Sequence, residues 1–123
     1  MRALPALLAL VLPLAVAACG SSSSSGGGAG GGTTASSCPK GAVVVHMRNI
    51  KFDPSTTSAK VGDQVCWTND DDVQHDAQAN DGQFKSQLFG QGQTFTTKLT
   101  KAGSIAYVCS VHPGMTGTLN VKP

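Results

Sequence analysis

The chain has 123 residues, with nine Lys or Arg set against seven Asp and no Glu, three His, and a net charge of +2. That length suits one domain at most, and so slight a basic excess lacks the basic patch that nucleic-acid binding needs. A multidomain enzyme, a DNA-binding protein and a polytopic membrane protein are excluded, which leaves a small module with four cysteines to account for.

Met1-Arg2 is a short positive start, and the sixteen residues from Ala3 to Ala18 form an apolar stretch broken only at Pro5 and Pro13. A bilayer span requires about 20 residues, so residues 1–18 read as an export signal. The signal ends Val16-Ala17-Ala18-Cys19. That string resembles the bacterial lipobox, which implies that Cys19 is lipid-modified and becomes the new N-terminus. An ordinary signal cleaved after small residues would leave Cys19 an incidental thiol. Residues 20–37 are only Gly, Ser, Thr and Ala and hold seven of the 15 glycines. As a coil they span roughly 21–25 Å, enough to lift a domain clear of lipid headgroups. The reading is thus a signal (1–18), a lipidated Cys19 with a tether (19–37), and a folded domain (38–123). The protein is expected to be exported and anchored by lipid to the bacterial cell membrane or outer membrane, facing the extracytoplasmic or periplasmic space. A domain of this size buries a thin core and commonly needs a staple such as a metal or a disulfide.

Within the domain, alternation dominates over helical periodicity. Ala42 to Arg48 is a β-branched run with Val43, Val45 and Met47 on one face, and Lys51 to Pro54 punctuates it. Thr56 to Val61 reads as a short strand before the Gly62-Asp63 turn. Val65-Cys66-Trp67-Thr68 places Val65 and Trp67 inward and Cys66 outward. Gln83 to Phe89 is either irregular or one turn of helix. Gln93 to Leu99 alternates, with Phe95, Thr97 and Leu99 inward and Thr94, Thr96 and Lys98 outward. Gly103 to Cys109 puts Ile105, Tyr107 and Cys109 on one face, and Thr116 to Lys122 closes the domain with Leu119 and Val121. About seven short strands separated by Gly, Pro, Asn and Asp predict an all-β, two-sheet sandwich.

The informative string runs from Tyr107 to Met115, Tyr-Val-Cys-Ser-Val-His-Pro-Gly-Met. A thiol, an imidazole and a thioether fall within seven residues, Cys109 to Met115, where a strand gives way to a turn. Pro113 biases His112 toward extended backbone, and Gly114 allows a bend at positive φ. Structural zinc sites use four Cys or His ligands, to which a thioether adds little. One thiolate, two imidazoles and a weak axial Met is the blue-copper donor set. The second imidazole must come from His46 or His75. His46 lies within the first strand, opposite Val45 and Met47, where a solvent-facing role is expected. His75 follows an acidic loop at a strand end.

At these residues the domain resembles a cupredoxin of the plastocyanin and amicyanin type. The resemblance extends over nearly all of residues 42–122. It rests on Val61-Gly62-Asp63-Gln64-Val65-Cys66-Trp67-Thr68-Asn69, on His75, on Asp81-Gly82-Gln83-Phe84-Lys85-Ser86, and on Gly103 to Tyr107 with Cys109, His112, Met115 and Gly117. The short Cys-x-x-His-x-x-Met loop is similar to that of amicyanin. The resemblance implies a Greek-key β-sandwich of seven or eight strands holding one copper ion in a type 1 site. His75, Cys109 and His112 would be the trigonal ligands and Met115 the axial one. Asn69 matches a position whose side chain ties the two ligand-bearing loops together. Gln74 and Asp76 depart from the family pattern of Pro before and a small polar residue after the first His. An inward Asp76 carboxylate would favour Cu(II) over Cu(I) and lower the reduction potential, whereas an outward one would be solvated.

With Cys19 lipidated and Cys109 held as a thiolate, Cys38 and Cys66 remain in an oxidising compartment, and a Cys38–Cys66 disulfide is expected. Four protein ligands leave no open copper position for substrate, which argues against an enzyme. The implied function is one-electron transfer to and from redox proteins such as a cytochrome or terminal oxidase. The His112 ring edge would be the port, beside an apolar patch of Val111, Pro113 and Gly114, and the carrier is expected to be a monomer. Asp70, Asp71, Asp72, Asp76 and Asp81 crowd around His75, either as a solvated turn or as an acidic rim steering a basic partner. A copper carrier or scavenger would use the same ligands but hand the ion on. A plain adhesion sandwich would use none of them.

Overall fold

The computed structural model describes residues 33–123. The expected export signal, Cys19 and the tether up to residue 32 lie outside the described residues. Nine strands are present among those described: β1 (Thr33–Ala35), β2 (Val43–Arg48), β3 (Lys51–Asp53), β4 (Thr56–Lys60), β5 (Gln64–Asn69), β6 (Gln78–Ala79), β7 (Thr94–Lys98), β8 (Gly103–Val108) and β9 (Thr116–Lys122). They form a five-stranded sheet ordered β1-β7-β5-β2-β3 and a four-stranded sheet ordered β4-β9-β8-β6. Pairs β2/β5 and β4/β9 are parallel and the remaining pairs antiparallel, so both sheets are mixed. This is an all-β sandwich. No helix among the described residues is long and apolar enough to cross a membrane.

The alternating faces meet in one core. Val45, Met47, Val65, Trp67 and Phe95 of the first sheet pack against Ile105, Tyr107, Leu119 and Val121 of the second. Trp67 is its centre, with ring centroids 4.9 Å from Phe84, 5.6 Å from Phe95 and 5.4 Å from Tyr107. The segment 83–89 is irregular rather than helical, yet it buries Phe84, Ser86 and Phe89.

Three elements exceed the pattern read from sequence. Lys51 to Asp53 is not mere punctuation: it is β3, folded back on β2 through Asn49 and Ile50 at φ 55° and 57°. A type I′ two-residue hairpin needs positive φ at both central positions, and a β-branched residue there is strained. The carboxylate of Asp71 holds this turn by accepting from the Asn49 N–H (2.7 Å) and the Ile50 N–H (2.9 Å). Gln78–Ala79 adds the short edge strand β6.

Thr33–Ala35, which composition assigns to the tether, pairs with β7 as an outer strand. The chain that follows it covers the outer face of the first sheet. There Cys38 is disulfide-bonded to Cys66, and Thr94 Oγ1 donates to the carbonyls of Ala35 and Ser37. Thr94 and Thr96 are therefore buried, not outward and solvated as alternation predicts, and Thr97 is only half-buried. Period-two patterning identifies a face that meets the core but says nothing of what covers the other face.

The second sheet depends on one close approach. Tyr107 and Gly117 are register partners on β8 and β9, and the tyrosine ring lies directly over the glycine. A Cβ at Gly117 would fall about 2.7 Å from Tyr107 Cε2 and nearer still to its Cζ and hydroxyl. The ring is held edge-on to Phe52 and Trp67 and has no room to retreat. Gly117→Ala is expected to cost about 2–3 kcal/mol by overpacking and to lower the melting temperature by roughly 10–20 °C. Gly90→Ala, whose Cβ would meet only Gln93 Oε1 at an ordinary 3.6 Å, is the control and should change little. Calorimetry of the two variants checks this; equal melting temperatures would contradict it.

Candidate metal centre

The site forms at the end of the sandwich where β5 and β8 finish. After Asn69 the chain loops through Asp70–Gln74 to His75, which pairs with Phe89 through backbone bonds of 3.2 and 2.9 Å. After Val108 it turns through Cys109–Met115 into β9. That turn closes on itself: the Cys109 N–H donates to the Met115 carbonyl (3.0 Å) and the Met115 N–H to the His112 carbonyl (3.1 Å). Gly114 sits at φ 84° within it, the bend that only glycine adopts at little cost.

These loops bring together three of the residues singled out from the sequence. His75 and Cys109 are buried, His112 is half-buried, and their donor atoms lie within 4.8 Å of one another. His75 Nδ1 is 3.1 Å from His112 Nδ1, and Cys109 Sγ is 3.8 and 3.5 Å from those two nitrogens. A triangle with sides of 3.1, 3.8 and 3.5 Å has a circumradius of about 2.0 Å, the reach of a metal–nitrogen bond. Two imidazoles and a soft sulfur around one such point fit copper. Met115 is buried in the same turn. His46 stays away from the site on β2, its Nδ1 2.8 Å from the exposed Asp70 carboxylate.

The surroundings orient the donors. His75 Nε2–H donates to Asp71 Oδ2 (2.8 Å), so the ring's other nitrogen, Nδ1, is left free as a ligand atom. Because the same Asp71 clamps the β2–β3 turn, the ring is braced against a hairpin whose turn lies 21 and 22 residues before Asp71. Burial pushes the Asp71 carboxyl up, but the Ile50 N–H, the His75 ring and the Asn49 N–H together hold it below the usual carboxylate range. Sequence reading placed this residue among five acids but missed its hold on the ring. Its only signal, a carboxylate four residues before a histidine, is lost inside a run of three aspartates.

Asn69 is fully buried. Its amide donates to the Val73 carbonyl (2.8 Å) and the Phe89 carbonyl (3.0 Å), and its Oδ1 accepts from the Asp71 N–H (2.9 Å). It shapes the His75 loop and anchors it to residue 89. The bond across to the Cys109 loop, expected of Asn69, is made instead by Asp76, which accepts from the Ser110 N–H (2.6 Å) and the Ser110 hydroxyl. Asp76 points inward. Desolvation pushes its carboxyl up, yet donors from Ser110 and Gln78 outweigh that and keep it below the usual range.

The crowd of acids resolves into structural duties. Asp70 pairs with His46 and Arg48, Asp71 with the turn and His75, Asp76 with Ser110 and Gln78, and Asp81 with Gln83. Asp72 alone of the five is exposed with no such bond among the described residues. The arrangement fits the turn reading better than a free acidic rim.

Fold and site together define a small β-sandwich organised around a copper centre. Comparison with known proteins agrees: residues 39–122 match the family described as copper binding proteins, plastocyanin/azurin family, and the chain belongs to it. Amicyanin of Paracoccus denitrificans is 29% identical over 87 residues, which span 67% of this chain and 66% of that protein. The match thus covers just under two thirds of that relative's length. Plastocyanin of Scenedesmus fuscus is 30% identical over 84 residues, 58% of this chain and 86% of that protein. Among solved structures, a Cu(I) form of an amicyanin mutant superposes with a TM-score of 0.67 at 26% identity, covering 76% of this chain and 93% of that chain. An oxidised amicyanin mutant gives 0.68 at 28% identity over the same shares.

Proposed function

We propose that this protein is a membrane-tethered, extracytoplasmic electron carrier whose redox centre is one copper ion held by His75, Cys109 and His112, with Met115 as the axial ligand. The observation that carries the reading is the convergence of the two Nδ1 atoms and Sγ on a single point at metal-bonding distance. Bound copper supplies a one-electron couple, Cu(II)/Cu(I), without needing an open coordination position.

The chain's own residues suit that task. His75 and Cys109 are buried and exclude water, and their loops are tied together through Asp76 and Ser110. Donors set at the strand ends of a packed sandwich move little between oxidation states, which keeps reorganisation small. His112 is half-exposed, and its ring edge is the port for the electron. Around it the exposed Val111 and Pro113, with Val73 and Leu88 on neighbouring loops, provide an apolar surface for a redox protein such as a cytochrome or terminal oxidase.

The Val16-Ala17-Ala18-Cys19 ending of the apolar segment, followed by a Gly/Ser-rich stretch, is what supports the tether.

The test is to add Cu(II) to the purified protein. Intense blue absorption with narrow copper hyperfine splitting, and copper retained through repeated reduction and reoxidation, is expected. A colourless adduct would overturn the reading, and ready loss of the reduced ion to an apo-acceptor would favour a copper carrier.

A further inference from the structure

Asp76 is a carboxylate in an uncommon position. It follows the ligand His75 directly, is 3% exposed, and spans to the residue that follows Cys109. Oδ1 accepts from the Ser110 N–H at 2.6 Å, and Oδ2 accepts from the Ser110 hydroxyl and from Gln78 Nε2 at 2.8 Å. All of these are neutral donors, and the Cys109 side chain also lies within hydrogen-bond reach of the carboxylate. They stabilise a carboxylate without cancelling its charge, and none of the ion pairs among the described residues includes Asp76. A buried, unpaired negative charge is costly unless a positive charge lies near it. Bound copper would supply one, and Asp76 joins its two ligand-bearing segments.

We propose that Asp76 is the residue that sets this protein's copper potential, its uncompensated buried charge holding the centre toward the oxidised state. The proposal rests on the copper reading above and adds to it. A Cu(II) ion with one thiolate carries a net positive charge, whereas a Cu(I) ion with one thiolate carries none. A fixed negative charge in surroundings of low dielectric therefore stabilises the first over the second. Uptake of one electron from a donor becomes less favourable, and delivery of it to an acceptor more so. Asp76 touches neither imidazole but reaches the Cys109 side chain, so removing its charge leaves ring orientation intact and acts beside the sulfur. That separates it from Asp71, which also holds the His75 ring.

The experiment is redox titration of the copper-loaded protein and of three variants, with the blue absorption as the readout. Asp76→Asn keeps the shape and loses the charge. It should move the Cu(II)/Cu(I) equilibrium at least tenfold toward Cu(I), which is 59 mV upward for one electron. Asp72→Asn removes an equal charge three residues from His75 but in solvent, and should shift the equilibrium less than twofold. Ser110→Ala retains the Asp76 carboxylate while removing its hydroxyl donor, and should move the equilibrium the opposite way from Asp76→Asn. A blue Asp76→Asn protein whose potential matches the wild type, or one that shifts no more than Asp72→Asn, would overturn the proposal and leave the copper centre standing. If Asp76→Asn does not fold, Ser110→Ala decides: a shift toward Cu(I) in that variant would overturn it. A wild type that never turns blue would instead sink the copper reading itself.

Discussion

Cys109→Ala is expected to abolish the blue absorption and narrow hyperfine splitting completely while the sandwich stays folded. Intense colour in a copper–thiolate centre arises from charge transfer out of sulfur, and Cys109 is the only free cysteine among the described residues. Without Sγ, the paired Nδ1 atoms of His75 and His112, 3.1 Å apart, still bind Cu(II), but as a weakly coloured site with ordinary wide splitting. The fold should tolerate the change. The Cys109 N–H bond to Met115 belongs to the backbone and survives, and loss of one buried sulfur costs about 1 kcal/mol, the usual size for a point mutation. Absorption and paramagnetic resonance spectra, with circular dichroism as the folding control, check it. A variant that kept its intense blue colour would remove Cys109 from the centre.

Loss of the Cys38–Cys66 disulfide is expected to be the most destabilising single covalent change. The bridge joins residues 28 apart in sequence, and a loop of that length restricts the unfolded chain by roughly 3–4 kcal/mol. The folded side adds to this. Cys66 is fully buried on the outer face of β5, and the segment carrying Cys38 accepts the Thr94 hydroxyl bonds. The double variant Cys38→Ala with Cys66→Ala should melt roughly 15–25 °C lower. Metal-free protein is the right sample, since a bound ion raises apparent stability by mass action. The blue spectrum should be unchanged, because the bridge sits mid-strand, opposite the face that meets the core, and away from His75 and Cys109. A melting temperature equal to wild type would show that the N-terminal segment holds its place without the bridge.

Much of the core was legible in the sequence. Val45 and Met47, Val65 and Trp67, Ile105 and Tyr107, and Leu119 and Val121 each stand two apart and all are buried. Period-two alternation is a local property that needs no knowledge of the partner strand. Cys109, His112 and Met115 were legible as candidate ligands for a similar reason, since seven residues of one turn carry their own geometry. His75 came from chemistry rather than proximity, because the donor set was one imidazole short.

Other features had no local signature. β3 depends on Ile50 accepting a left-handed conformation, which nothing near it favours, and the carboxylate that holds it lies 21 residues away. The burial of Thr94 depends on carbonyls 59 and 57 residues earlier in the chain. A residue's inward face can be read from its neighbours, but the cover on its outward face comes from elsewhere.

The acidic loop marks the division most sharply. Sequence by itself determined an all-β chain and pointed to His75, Cys109 and His112, which the fold brings together. It also showed five aspartates near His75 without distinguishing among them. Only the tertiary structure assigned Asp71 to the His75 ring, Asp76 to Ser110, and Asp72 to solvent. A carboxylate's role is fixed by the donors that meet it, and the Ser110 donors reach Asp76 across 34 residues of chain. Spacing along the chain places a ligand, whereas the field around it is made by groups that only folding brings near.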